Sequence, residues 1–169
     1  MLSARALRHQ MILPQQQYLY DYWRSKCKHD RLPSRNDIDP AEICEQLPMI
    51  SLIDVYSKQQ SFRYKYRLAG TGFWSLYEAE ITGKYIDELP IGDRIEYWHR
   101  VLGRVNTRGR PSAGVTRPGT PVRSHLAQFW IRLPLSDNGR TVTTILGFDH
   151  MVNLSDIPQM NSAQERISA

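Results

Sequence analysis

Arginines carry most of the chemistry this chain can offer. From Tyr97 to Ser136 there is no Asp or Glu, yet seven arginines occur: Arg100, Arg104, Arg108, Arg110, Arg117, Arg123 and Arg132. A guanidinium is a planar fork of donors that matches carboxylate and phosphate. The block therefore predicts either an anionic partner or a solvated face balanced by acids elsewhere. Arg100, Arg104 and Arg108 fall one helical turn apart and form a candidate anion or partner surface. Phe129 and Trp130 lie inside the block and offer rings on which bases stack, the pattern of a basic nucleic-acid-binding or adaptor protein. The same two rings read equally well as core. Asp149-His150 offers a carboxylate and an imidazole for proton transfer. Asp54, Asp87 and His125 stand in no HExxH or GxSxG spacing, and no glycine loop is built to cradle phosphate. A small pocket enzyme is thus a minor alternative, and no catalytic residue is assigned. Cys27 and Cys44 make no CxxC or Cys/His set, so no metal site is expected, and they fit a reducing cytoplasm.

These groups must be positioned by one fold. The chain has 169 residues, 41% of them hydrophobic and 23% charged, with a net charge of +5, which suits one soluble domain with a real core. No apolar run approaches the roughly 18 residues that span a bilayer, so no membrane partner and a cytoplasmic location are expected. Met1–Gln10 has arginines and no acids and reads as a short solvated arm.

The local pattern supplies the elements. Gln15 to Lys28 reads as a helix beginning just past Pro14, with Leu19, Tyr22, Trp23 and Cys27 on one side. Asp39-Pro40 reads as a cap and first helical residue of a short helix to about Gln46. Met49–Tyr56 is the first strand. In the second, Phe62, Tyr64, Tyr66 and Leu68 alternate with Arg63, Lys65, Arg67 and Ala69, predicting an apolar face and a basic one. Thr71 caps a short helix carrying Phe73, Trp74 and Tyr77, and Lys84–Leu89 forms another helical turn. The longest helix runs from Asp93 to Arg108, with Ile91, Ile95, Trp98, Leu102 and Val105 as its buried stripe, Glu96 facing Arg100, and Gly109 as its stop. Arg110–Thr116 is a third strand, and Pro118-Gly119 fits the centre of a type II turn. Ser124–Val152 reads as a hairpin turning tightly at Ser136-Asp137-Asn138-Gly139.

Strands, helices, then strands is the element order of a PAS domain, and specific residues sharpen the likeness. They are Tyr22-Trp23-Arg24, Leu32-Pro33-Ser34-Arg35, Asp37-Ile38-Asp39-Pro40, Leu47-Pro48, Phe62-Arg63-Tyr64, Tyr66-Arg67-Leu68-Ala69-Gly70-Thr71, Thr82-Gly83 and Leu133-Pro134-Leu135-Ser136-Asp137-Asn138-Gly139. In their order and spacing, across about residues 18 to 150, the chain resembles a PAS-like family of short, mostly α-proteobacterial proteins. The stretch 111–124 departs from that pattern and looks longer.

The resemblance implies an α+β fold: a five-stranded antiparallel sheet with helices on one face, preceded by an N-terminal flanking helix. Residues 15–152 would be that domain, 1–14 an arm and 153–169 a polar tail. It implies a stand-alone sensory or regulatory module, working as a homodimer, that binds a small molecule or a separate signalling protein and has no output domain of its own. Ligand contacts would come from Tyr64, Tyr66, Trp74, Tyr77 and Trp98, with Arg67 and Arg132 orienting an anionic group. Strand alternation, however, sends Arg67 to the face opposite Tyr66. The ligand itself is not named. Light-sensing relatives carry flavin beside a cysteine on a helix near the pocket. Both cysteines here precede the first strand, so flavin is not expected. Haem-binding relatives use a histidine on the long helix. His99 sits there, but between Glu96 and Arg100 at the edge of the apolar stripe, so haem is not expected either.

Overall fold

The computed structural model describes residue 7 and residues 11–157. Most of the expected arm and most of the expected tail lie outside these residues. Met11 and Leu13, the last hydrophobic residues before the first helix, are buried.

Among the described residues, three α-helices and five strands with full bounds build the domain: α1 Pro14–Lys26, β1 Ile50–Lys58, β2 Ser61–Ala69, α2 Gly72–Tyr77, α3 Arg94–Arg108, β3 Ser112–Thr116, β4 Leu126–Leu135 and β5 Thr144–Asn153. The strands form one sheet in the order β2-β1-β5-β4-β3, and every neighbouring pair is antiparallel. The sheet separates two apolar layers. One holds Ile53, Tyr64, Tyr66, Trp130 and Ile145 against α2 and α3. The other holds Leu52, Ile131, Leu133, Leu146 and Phe148 against α1 and the 3-10 turns of residues 35–49.

Helix α1 starts on Pro14, whose missing N–H costs nothing in a first turn. Its Leu19, Tyr20, Tyr22 and Trp23 are buried, and two polar contacts fix it across β4. Gln16 Nε2 donates to the Trp130 carbonyl at 2.8 Å, and Trp23 Nε1 donates to the Pro134 carbonyl at 2.9 Å. The flanking helix therefore docks on its own sheet, on the face opposite α2 and α3. Asp39 caps the 3-10 turn at Pro40–Ile43 by accepting from the Ala41 amide.

The structure corrects several local expectations. Strand β2 does not keep one apolar face along its length. Leu52 pairs with Leu68 but Ile53 pairs with Tyr66, so Arg67 is an extra residue that reverses the alternation. Tyr64 and Tyr66 face α3, whereas Leu68 turns to the other side, 43% exposed, and lines an apolar hollow of about 530 Å³ with Leu52 and Ile43. The final hairpin forms as expected, but its connection runs over residues 136–143 rather than a tight turn. The Ser136 amide leaves the ladder to donate to the Pro33 carbonyl, and Asn138 Oδ1 gathers the Arg140 and Thr141 amides and the Ser136 hydroxyl. Gly119 is not in the left-handed region that a type II turn demands. It is needed for close approach, since a Cβ there would lie 2.0 Å from the Ile91 carbonyl oxygen. On α3, Trp98, Val101, Leu102 and Val105 form the buried stripe and Gly109 ends the helix at φ +57. Ile95 is only partly buried, and Glu96 does not pair with Arg100.

Candidate functional site

Beneath α3, the layer between sheet and helices turns polar. Gln128, Trp130 and Arg132 share the inward face of β4, because side chains two apart on a strand project together. In the neighbouring β5, Gly147 lies opposite Arg132 and Asp149 opposite Trp130. The Arg132 side chain crosses over Gly147 to reach Asp149 on the diagonal. A Cβ at position 147 would lie 3.3 Å from the guanidinium carbon and 2.4 Å from Ser51 Oγ, so only glycine leaves the path open.

Arg132 is 1% exposed and Asp149 0%, which makes this a charge pair wholly removed from water. Arg132 Nη2 lies 3.0 Å from both carboxylate oxygens of Asp149. Its Nη1 donates to the carbonyls of Ile131 and Phe148, and Gln128 Nε2 donates to Asp149 Oδ1 at 2.7 Å. The guanidinium carbon also sits 4.4 Å from the centre of the Trp98 ring, with Trp130 behind it. Trp98 and Trp130 meet edge to face, and Trp130 Nε1 donates to the Tyr97 hydroxyl. Arg132 Nε and Ser51 Oγ make no hydrogen bond, and Asp149 Oδ2 has only its ion-pair contact with Arg132 Nη2.

The electrostatics follow from burial. Burial is the largest single influence and lowers the Arg132 pKa, but Asp149, Tyr66 and Tyr77 together hold the guanidinium above its ordinary value. Burial pushes the Tyr66 phenol far up, with Arg132 opposing the rise and Asp149 adding to it. Tyr77 is raised by burial first, then by Tyr66 and Asp149. Both tyrosines are therefore neutral phenols, able to donate as well as accept. Donors and acceptors therefore surround the Arg132–Asp149 pair from several sides.

Of the residues expected to contact a ligand, Tyr66, Tyr77, Trp98 and Arg132 meet here. Tyr64 is on the same layer but farther along, against the ring of His99 and the amide of Asn106. Trp74 is 59% exposed, because the single short helix α2 buries only Phe73, Leu76 and Tyr77. Arg67 is corrected as well: it lies on the face opposite Tyr66, as alternation places it, where its Nε donates to Asp54 Oδ2 at 2.8 Å. Arg100, Arg104 and Arg108 are exposed and form no ion pair among the described residues. Phe129 and Trp130 are each 3% exposed, so neither ring is available to stack bases. Asp149 and His150 project to opposite faces and form no dyad; Asp149 serves Arg132, while His150 stacks near Phe148.

A family model described as PAS domain matches residues 11–149, most of the chain. The chain belongs to the PAS domain family. Solved structures with this fold include a light-oxygen-voltage domain studied with a flavin analogue, at TM-score 0.52 and 17% identity over 75% of this chain and 92% of that one. They also include VqmA bound to DPO, at TM-score 0.52 and 13% identity over 66% of this chain and 56% of that one. The light-oxygen-voltage protein of Rhodobacter sphaeroides matches at TM-score 0.48 and 16% identity, over 70% of each chain. No curated protein matches. These likenesses are likenesses of fold.

The residues of this PAS domain do not fit a flavin or a haem between sheet and helices. Arg132, Tyr66, Phe73, Trp98 and Trp130 fill the layer with buried side chains. Cys27 packs on the opposite side of the sheet and Cys44 is exposed there, so neither thiol reaches the layer. His99 Nε2 is engaged by Asp87 Oδ1 at 2.5 Å, at the outer side of α3. Among the described residues no cluster of His, Cys, Asp and Glu could hold a metal ion, and no helix is long and apolar enough to cross a membrane. Sequence reasoning missed Asp149 as the partner of Arg132, and with it Gln128, Ser51 and Gly147. The signal was present in the parity: Gln128 and Arg132 on one strand, Gly147 and Asp149 on the next, all on a face otherwise built for core.

Proposed function

We propose that this PAS domain is a sensory module whose input is a small polar molecule received at the Arg132–Asp149 pair, without flavin or haem. The carrying observation is the buried pair with Arg132 Nε and Ser51 Oγ left without a hydrogen bond around Gly147, and Asp149 Oδ2 held by the ion pair alone. A buried polar atom without a hydrogen bond costs about 1–3 kcal/mol, so a core keeps such atoms at a standing disadvantage unless something completes them. A molecule with an acceptor for Arg132 Nε and a donor for Asp149 Oδ2 completes both. VqmA, which has this fold, is bound to DPO. The reading also gives the signal a way out, since Gln16 of α1 holds the backbone of Trp130, two residues from Arg132.

The test is native mass spectrometry of the full chain purified from its own host, with an absorbance spectrum of the same sample. The expected result is extra mass that is lost on denaturation, no visible band, and no extra mass on the Arg132→Met/Asp149→Leu variant. Wild-type protein that carries no extra mass, or the same mass as the variant, would sink the assignment. A flavin or haem band would overturn the exclusion of those groups. The same spectra count subunits and so decide whether the protein is a homodimer.

A further inference from the structure

A second hollow, of about 480 Å³, opens where the C-terminal end of α3 meets the β1–β2 hairpin and the loop between β4 and β5. It is separate from the Arg132 region and shares no residue with it. Its lining contains two arginines, Arg108 and Arg140, one from the helix and one from the loop, and no Asp or Glu. Both side chains are exposed, and neither guanidinium makes an ion pair or hydrogen bond among the described residues. Hydroxyls line the rest, and that of Thr143 is buried without a partner. One wall is apolar: Phe62 is 42% exposed here, at the part of β2 where its side chain has nothing to cover it. Arg31 lies behind the loop, its Nη2 donating to the Asn138 carbonyl, and adds a third positive charge. The one carboxylate of the loop, Asp137, does not line the hollow.

We infer that this hollow is a binding site for a small organic anion, a carboxylate or phosphate carried on a flat apolar body. The guanidiniums of Arg108 and Arg140 take the anionic group, and Phe62 takes the flat body. The C-terminus of α3 presents carbonyls, not N–H groups, so the anion is held by side chains and not by the helix end. The volume falls within the range of small-molecule sites. Because the arginines are exposed, binding weakens as salt rises. This inference is independent of the Arg132 reading.

The experiment is an amide NMR titration of the full chain with three probes: adenosine monophosphate, benzoate and inorganic phosphate. Shifts are expected at Ser57, Thr107, Gly109 and Thr141, and each of Arg108→Gln and Arg140→Gln is expected to weaken binding roughly tenfold, as loss of one charge-assisted contact does. An unchanged melting temperature shows that these exposed variants remain folded. Tighter binding of the nucleotide assigns a phosphate source, and tighter binding of benzoate a carboxylate source; both support the site. Inorganic phosphate binding as well as either would overturn the role of Phe62. Absence of shifts at those amides up to about 10 mM of every probe, or equal affinity in the double arginine variant, would overturn the site itself.

Discussion

Asp149→Leu is the most revealing single change in this protein. The carboxylate it removes is fully buried, accepts from Gln128 at 2.7 Å and from Arg132 at 3.0 Å, and is the only carboxylate paired with the Arg132 guanidinium among the described residues. Arg132 would keep its carbonyl contacts at Ile131 and Phe148, but its charge would remain in the core without a counter-charge. Breaking one side of such a pair costs about 3–5 kcal/mol. For a chain of this size each kcal/mol moves the melting temperature by about 2–4 °C, so a drop of roughly 6–20 °C is expected. Replacing both partners, as Arg132→Met/Asp149→Leu, removes the stranded charge together with its desolvation. That variant should match wild-type stability within about 1 kcal/mol or exceed it by up to about 4. Urea unfolding of the wild type, both single variants and the double variant, with midpoints compared at constant slope, measures the coupling. If Asp149→Leu cost less than about 1 kcal/mol, or if the double variant lost the sum of the two singles, the buried pair would not be the electrostatic unit described. A double variant that is stable but no longer carries its ligand would show why the pair is kept. The charges would then be there for recognition and not for stability.

Two further outcomes follow from neighbouring geometry. Gly147→Ala places a methyl group 2.4 Å from Ser51 Oγ and 3.3 Å from the Arg132 guanidinium carbon. It should lower stability by about 1–3 kcal/mol in a thermal melt, and an unchanged midpoint would mean that Arg132 does not cross this position. His150 is half-buried, and burial lowers its pKa below the ordinary value of 6.5. The folded protein therefore holds fewer protons than the unfolded chain between that lowered value and about 6.5. Stability should fall as pH drops through this window, and His150→Gln should remove that part of the slope in melts taken across it. A slope that survives the substitution would assign the effect to another group.

Much of the architecture was legible because it rests on local periodicity. The alternation that places Tyr64 and Tyr66 and the helical stripe of Trp98, Leu102 and Val105 each bury one face of one element, and Pro14 marks the start of α1. Such patterns need no knowledge of what lies opposite. The family motifs then set the order of strands, and the five-stranded sheet followed. The site was only half legible. Tyr66, Tyr77, Trp98 and Arg132 could be nominated one at a time, but Arg132 acquires its meaning from Asp149, 17 residues away, and from the missing side chain at Gly147. That relation depends on the register of β4 against β5, which a one-residue slip of either strand would abolish by turning one of the two side chains to the other face. The bulge at Arg67 has the same character: it sends Leu68 outward and ties Arg67 to Asp54 through a pairing with β1 that nothing within β2 announces. The sequence by itself determined the elements, the fold and the chemistry in supply. Only the tertiary structure decided that one arginine of seven is buried and paired, because burial of a charge is settled by what meets it across the sheet.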